Sequence, residues 1–469
     1  MQNRKDLLQA HRLMTQRVGM ALLQAEPDPP DRPLRRLNVG MFSSILVAVM
    51  VAAVFGIWGL LSPGSAQGLT GAGVLIIDNQ TGTNYIWCQG GKLLCPVVNY
   101  TSARLALRSA TPDQRLVDQG SLRQYPRGPM IGIPGLPPLP AATMLTGAPW
   151  SVCVQQVANP ATLQQRTVTT LVGGRGVGGS ALSSAKALLV QAGGDDWVIW
   201  NGQRLPVPPG TQTNVLTALG ATAQQPEAMP SAWLNAFPQG PAFAPPHVDH
   251  LGRHVNGPGG TSARVGQVFA ATAAGAAKRY YVVLNDGLAQ ITQTEAALLE
   301  AVPHQPAQGT VSPSAVAGDL APRGLPASGL PVHTPTVVPY TGSTPLCVVY
   351  SGRATAGPQV TVGGSVPAHA TGTAGSGGLD QVSLPPGTAA LAGVVAGTQP
   401  AAGASGQPVV SGYYLLSGGR RYGLSSPSVA SILGYNLTKQ RTLLPAGVVD
   451  LVPLGPAFDP SNAKRQVAG

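Results

Sequence analysis

Charge is scarce in this 469-residue chain, at 10%, and between Arg36 and Asp78 there is none. The apolar part of that gap, Val39 to Leu61, is 23 residues long. As a helix it would reach about 35 Å, enough to cross a bilayer core with some tilt. No second apolar run of this length follows, so the remaining ~400 residues are expected to fold outside the bilayer. Other absences exclude whole classes of chemistry. The only Gly-Lys pair, Gly91-Lys92, continues with Leu93, so there is no P-loop to cradle phosphates. There is no G-x-S-x-G nucleophile elbow and no C-x-x-C redox pair. No run of Lys or Arg is interleaved with aromatics, which make up only 5% of the chain, and this argues against a nucleic-acid partner.

The charges that are present orient the span. Residues 1–36 carry seven basic side chains, with Arg35 and Arg36 flanking the membrane segment, and the next basic residue is Lys92. The positive-inside rule therefore predicts a cytoplasmic N-terminus and an extracytoplasmic body on a single-pass anchor. Cleavage near Ser65-Ala66-Gln67 is the rival reading, but the apolar run exceeds a typical signal-peptide core. The arm has seven basic and four acidic residues, so it accounts for +3 of the net +11 and leaves +8 on the body. A charge spread so thinly allows mild attraction to anionic envelope polymers.

Gly 60 and Pro 45 predict short strands, many turns and linkers. All four cysteines, Cys88, Cys95, Cys153 and Cys347, follow the span. In an oxidising compartment they read as two disulfides with three possible connectivities. A two-residue turn at Gly91-Lys92 would set Cys88 opposite Cys95 across a hairpin. Cys153 and Cys347 would then pair across 193 intervening residues.

The arm begins as a basic amphipathic helix. Leu7, Met14, Val18, Ala21 and Ala25 recur on one face, widened by Leu8 and Leu22, and Pro27, Pro29 and Pro30 end it. The stripe is aliphatic, without Trp or Phe, so Leu7, Met14 and Val18 are expected to dock on a partner helix rather than lie on the membrane. In the body, four segments share one pattern of apolar residues, a Gly-centred turn, a second strand and a short helix. They begin at Asn84, Trp197, Tyr280 and Tyr413. Asn201-Gly202 and Asp286-Gly287 are hairpin turns, and Thr292 with Glu295 forms a capping box. The second and fourth copies end alike, in Gly240-Pro-Ala-Phe243 and Gly455-Pro-Ala-Phe458. Pro149–Val154 and Thr344–Val349, each a short β-like run carrying one cysteine, form a second duplication.

The expected fold class is α+β: a single N-terminal transmembrane helix, then an elongated body with a β-rich central core and four ββα-like repeats in pseudo-two-fold arrangement. The expected boundaries are 1–36 for the arm, 37–62 for the span, 70–115 for repeat one and 120–190 for the first core half. Repeat two follows at 195–245, a linker with repeat three at 246–300, and a Pro-rich linker with the second core half at 301–400. Repeat four occupies 408–460, and the tail 461–469.

Three motifs suggest chemistry weakly. Gly174-Arg-Gly-Val-Gly-Gly179 fits G-x-G-x-x-G, but no parallel βαβ unit follows, so it is expected to be a flexible hairpin tip. Ser183-Ser-Ala-Lys186 fits S-x-x-K without its K-T-G or S-D-N partners, and is expected in a short helix. His247, Asp249, His250 and His254 cluster in what reads as an exposed linker rather than a metal site. No catalytic, metal or cofactor residue is assigned.

The arm from Arg4 to Val18, then Pro33-Leu-Arg-Arg36 and one span, resembles the EccB family of the actinobacterial type VII (ESX) secretion system. The likeness continues through Ala103-Arg-Leu105, Tyr280–Leu288 and the Gly-Pro repeat ends. The resemblance implies a structural membrane subunit assembling with EccC, EccD and EccE components, with self-association and repeats like cell-wall-binding modules. It also implies that Cys153 and Cys347 are the family's core pair and that Cys88 and Cys95 are an addition. The family is often labelled an ATPase. The alternatives are therefore a membrane-tethered envelope hydrolase or ATPase, and a cell-wall adhesin.

Overall fold

The computed structural model describes residues 3–24, 33–61, 68–71, 73–158, 164–352, 357–367, 378–395 and 409–467. Two helices open the chain, α1 (Arg4–Gln24) and α2 (Pro33–Leu61). The body is a mixed α+β fold built on five sheets of four or more strands.

Four of these sheets share one connectivity. In the first repeat, Val74–Asp78, Asn84–Cys88 and Leu93–Val97 form an antiparallel meander. The helix Tyr100–Leu107 follows, and Asp113–Val117 returns parallel to the first strand. The second repeat does the same with Lys186–Ala192, Asp195–Trp200, Gln203–Pro206, the helix Gln212–Ala218 and Glu227–Ala228. The third uses Val268–Ala271, Arg279–Leu284, Gly287–Ile291, the helix Gln293–Glu300 and Gly309–Thr310. The fourth uses Ala390–Val395, Val410–Ser417, Arg420–Gly423, the helix Ser428–Ile432 and Arg441–Pro445. The unit is therefore βββαβ, larger than the ββα expected. The leading strands differ in sequence, and two of the closing strands are only two residues long, too short for a periodic signal. A parallel return needs a crossover, which explains the helix in every copy. Beyond it, one residue of a later segment bridges the third strand: Arg127 to Leu94, Gln239 to Arg204, Leu320 to Leu288 and Leu454 to Arg421.

The helix starts follow local chemistry. Asn99 accepts from the Ser102 N–H at 2.7 Å. Thr292 and Glu295 complete their capping box, with the Glu295 N–H on Thr292 Oγ1 at 3.1 Å and the Thr292 N–H on Glu295 Oε2 at 2.7 Å.

The central sheet has six strands, in the order Gln381–Ser383, Gln165–Gly173, Trp150–Ala158, Leu346–Tyr350, Gln359–Val362 and Ser180–Ala181. Two hairpins meet antiparallel at its centre, with Cys153 directly opposite Cys347. Alternate residues face two sides. Trp150, Val152, Val154, Leu346 and Val348 join a core with Trp233 and Phe237, which follow the second repeat, and with Val448, Val449, Leu451 and Val452, which follow the fourth. Cys153, Val172 and Cys347 face Val177 and Val366. Both faces are buried, so these strands read as near-continuous apolar runs.

The repeats pack around this sheet with two-fold logic. The second and fourth lie on one face, where Asn235 and Gly447 meet. The first repeat's helix packs on the fourth's, and the third repeat's helix on the second's. The first and third repeats thus stand at opposite ends of the packing order. Within 301–400, where a Pro-rich linker was expected ahead of the second core half, the chain forms Gly309–Thr310, the helix Pro313–Gly318, and Thr336–Val337, which pairs with Lys186 and Ala187. Tertiary pairing captured segments too short and Pro-rich to show a period.

Candidate membrane-anchoring and partner-binding site

In α2 the segment Leu37–Trp58 has a mean hydropathy of 2.3, and none of it is buried against the chain. At 22 residues it is about 33 Å long, the length a bilayer core requires. Its two hydroxyls are satisfied internally, Ser43 Oγ on the Val39 carbonyl at 2.7 Å and Ser44 Oγ on the Met41 carbonyl at 2.9 Å. Arg35 and Arg36 precede it in the first turn of α2.

On α1, Leu7, Met14 and Val18 are 63%, 71% and 56% exposed. Spacings of seven and eleven residues bring them to one face at 3.6 residues per turn. Leu8 and Leu22 are exposed beside them. Nothing in the described residues covers this stripe. Ala25, the last stripe position, lies outside the described residues.

Disulfides join Cys88 to Cys95 and Cys153 to Cys347. The first hairpin has a different register from the one expected. Its loop is Gln89 to Lys92, with Gln89, Gly90 and Gly91 all at positive φ. Cys88 pairs with Leu93, and Ile86 with Cys95. The cysteines therefore bond diagonally, at a Cα separation of 5.9 Å, because a four-residue loop shifts them off direct opposition.

The weak motifs resolve into packing. Gly174–Gly179 is no free hairpin tip. The Ser365 N–H donates to the Val177 carbonyl at 2.8 Å. Any Cβ on Gly179 or Gly364 would collide with the facing backbone of Gly363 or Val177. Two glycine-rich loops, one from each core half, thus interlock over the Cys153–Cys347 face. Lys186 begins a strand rather than lying in a helix, and is exposed. His247 contacts Asp249 at 3.0 Å and His250 contacts Asn285 at 3.2 Å. His254 starts the extra hairpin His254–Asn256/Ser262–Arg264, where a linker was expected.

Two arginines escaped the sequence reading. Arg204 and Arg421 occupy equivalent third-strand positions. Each guanidinium lies over a second-strand ring, Trp197 at 5.2 Å and Tyr414 at 5.4 Å. Arg204 donates to Asn235 at 2.6 Å, and Arg421 pairs with Asp450. Burial lowers the Arg204 pKa. The matched Arg204 and Arg421 after the Gly turns were the available signal. The third repeat also holds a polar cleft of about 760 Å³ against its extra hairpin.

Comparison with known proteins places this architecture. Residues 2–468 match the family described as type VII secretion system ESX-1, transport TM domain B. The chain is 29% identical over 457 residues to the ESX-3 secretion system ATPase EccB3 of Mycolicibacterium smegmatis, covering 92% of this chain and 84% of the relative. It is 28% identical over 480 residues to the ESX-5 secretion system ATPase EccB5 of Mycobacterium tuberculosis, covering 97% and 91%. Among solved structures, a chain of an intact ESX-5 inner membrane complex is similar over 100% of this chain and 96% of its own, with a TM-score of 0.62 and 25% identity. A chain of an EccB3 dimer from the ESX-3 core complex is similar over 84% and 100%, with a TM-score of 0.65 and 26% identity.

Proposed function

Since the chain belongs to the type VII secretion system ESX-1, transport TM domain B family, we propose that it serves as a structural, membrane-anchored subunit of a type VII secretion complex. One observation carries this reading. A bilayer-length helix, with none of it buried, separates a helix with an uncovered aliphatic face from a disulfide-tied body. A subunit held only by its own fold has no use for the uncovered face. The likeness to an EccB3 dimer supports self-association.

In this reading the N-terminus is cytoplasmic, supported by seven basic residues before the span. Leu7, Met14 and Val18 dock on partners of the EccC, EccD or EccE type, and the body extends outward to contact cell-wall polymer. Relatives carry the word ATPase in their names. The absent P-loop and the interlocked Gly174–Gly179 favour a non-enzymatic role here.

Affinity purification of the tagged chain in mild detergent should bring down the other membrane components of the secretion system. Recovery of the chain alone would refute the assignment. A protease-cleavable tag before Arg4 should be cut only in inverted vesicles, and one after Gln466 only in spheroplasts. The reverse pattern overturns the orientation.

A further inference from the structure

The third repeat carries an element absent from the described residues of the other three. An extra hairpin precedes its first strand, with His254 opposite Arg264 and Asn256 opposite Ser262. The hairpin is well anchored. Ala263 and Val265 are 3% and 0% exposed, inside the repeat's apolar clusters. Its tip is tied down by the Gly259 N–H on Asp319 Oδ2 at 2.8 Å. Opposite stands the turn Asn285–Gly287. Gly287 has φ 141°, and a Cβ there would lie 2.5 Å from the Asp319 carbonyl, so only glycine allows this approach. Hairpin, turn and the Gly318–Leu320 segment line an open cleft of about 760 Å³, within the size range of small-ligand sites.

The lining is polar and uncommitted. The side chains of Arg253, His254, Asn256, Ser262 and Asp286 make no hydrogen bond or ion pair within the described residues. Asp319 spends one carboxylate oxygen on the hairpin tip. The cleft is lined by one guanidinium, one imidazole, two carboxylates, the amides of Asn256 and Asn285 and the Ser262 hydroxyl. An anion would meet Asp286 and Asp319, and a cation would meet Arg253. A neutral ligand rich in hydroxyls can use all of these donors and acceptors together. The first repeat follows the membrane span directly in sequence, and the third stands at the other end of the packing order. On the orientation proposed above, on which this step rests, the cleft is carried away from the bilayer.

We infer that the third-repeat cleft between the extra hairpin and the Asn285–Gly287 turn binds a neutral saccharide of the cell envelope. The test uses the full chain in lipid nanodiscs, free of sugar-headed detergent. Tetra-N-acetylchitotetraose, maltotetraose and heparin are titrated calorimetrically. One of the two neutral tetrasaccharides should bind, and which one does distinguishes an amino-sugar from a glucan source. Asn256→Ala and Asp286→Ala, both at exposed positions, should each weaken binding about tenfold, the loss expected for one ligand hydrogen bond. Asp113→Ala, in the first repeat, should leave binding unchanged. Binding of heparin alone, binding of neither saccharide, or full affinity in both cleft variants would overturn the inference. Co-purification of the same variants with the secretion components reports separately on the subunit reading, which stands if assembly persists while saccharide binding fails.

Discussion

Cys153 and Cys347 are separated by 194 positions in the chain, yet sit opposite each other in the central sheet. Replacing both with Ala frees the denatured chain from a very long loop. The chain-entropy relation puts that loss at about 5 kcal/mol at 25 °C. The Cys88–Cys95 loop, with a separation of 7, gives only about 2 kcal/mol by the same relation. The core pair should therefore cost roughly 3 kcal/mol more than the hairpin pair, about a 150-fold larger change in the folding equilibrium. Urea unfolding followed by tryptophan emission is a direct assay, because Trp150 and Trp233 are fully buried beside this sheet. The expected order of midpoints is wild type, then Cys88→Ala with Cys95→Ala, then Cys153→Ala with Cys347→Ala. If the core pair is no more destabilising than the hairpin pair, loop closure is not what this bridge contributes.

The arm and the alkaline limb offer two further tests. Leu7→Asp with Val18→Asp would place two carboxylates in an apolar interface, so co-purification with partner subunits should fall while membrane insertion persists. Arg12→Gln with Arg17→Gln should matter less, because solvated rim charges contribute little, and the opposite ranking would refute helix docking. Tyr435 is 4% exposed and donates to the Pro140 carbonyl at 2.9 Å. Burial pushes its phenol up to about 12 from the ordinary 10.0, with Arg104 pulling the other way. A raised pKa means its stabilisation is complete below pH ~10 and is lost as pH climbs through ~12. Tyr435→Phe should therefore flatten the loss of urea stability across that window, and an unchanged slope would refute the assignment.

The membrane helix was legible in the sequence because its cause is local. An uncharged apolar run of bilayer length has few folds open to it, and no distant contact is needed to recognise it. The uncovered face of α1 is similarly a matter of 3.6-residue spacing. The Asn201-Gly202 and Asp286-Gly287 turns, and the Thr292–Glu295 box, act over two to four residues and could be read directly. The strands that complete each repeat could not. Glu227–Ala228 and Gly309–Thr310 exist only because a parallel neighbour supplies their hydrogen bonds. Loop length set the Cys88–Cys95 register, and a two-residue difference in a glycine turn leaves no trace in composition. Gly174–Gly179 resembles a phosphate loop in one dimension, and becomes half of an interlocked cover only when Gly363 and Gly364 arrive from nearly 190 positions away. The hairpin at His254 looked like a linker because the partners that anchor it, Val282 against Val265, Tyr281 against Ala263 and Asp319 at the tip, lie outside any local window. Short-range chemistry wrote the helices, turns and membrane span into the sequence. Pairing between distant segments, whose loop entropy is recovered only on folding, decided the sheets and the cleft.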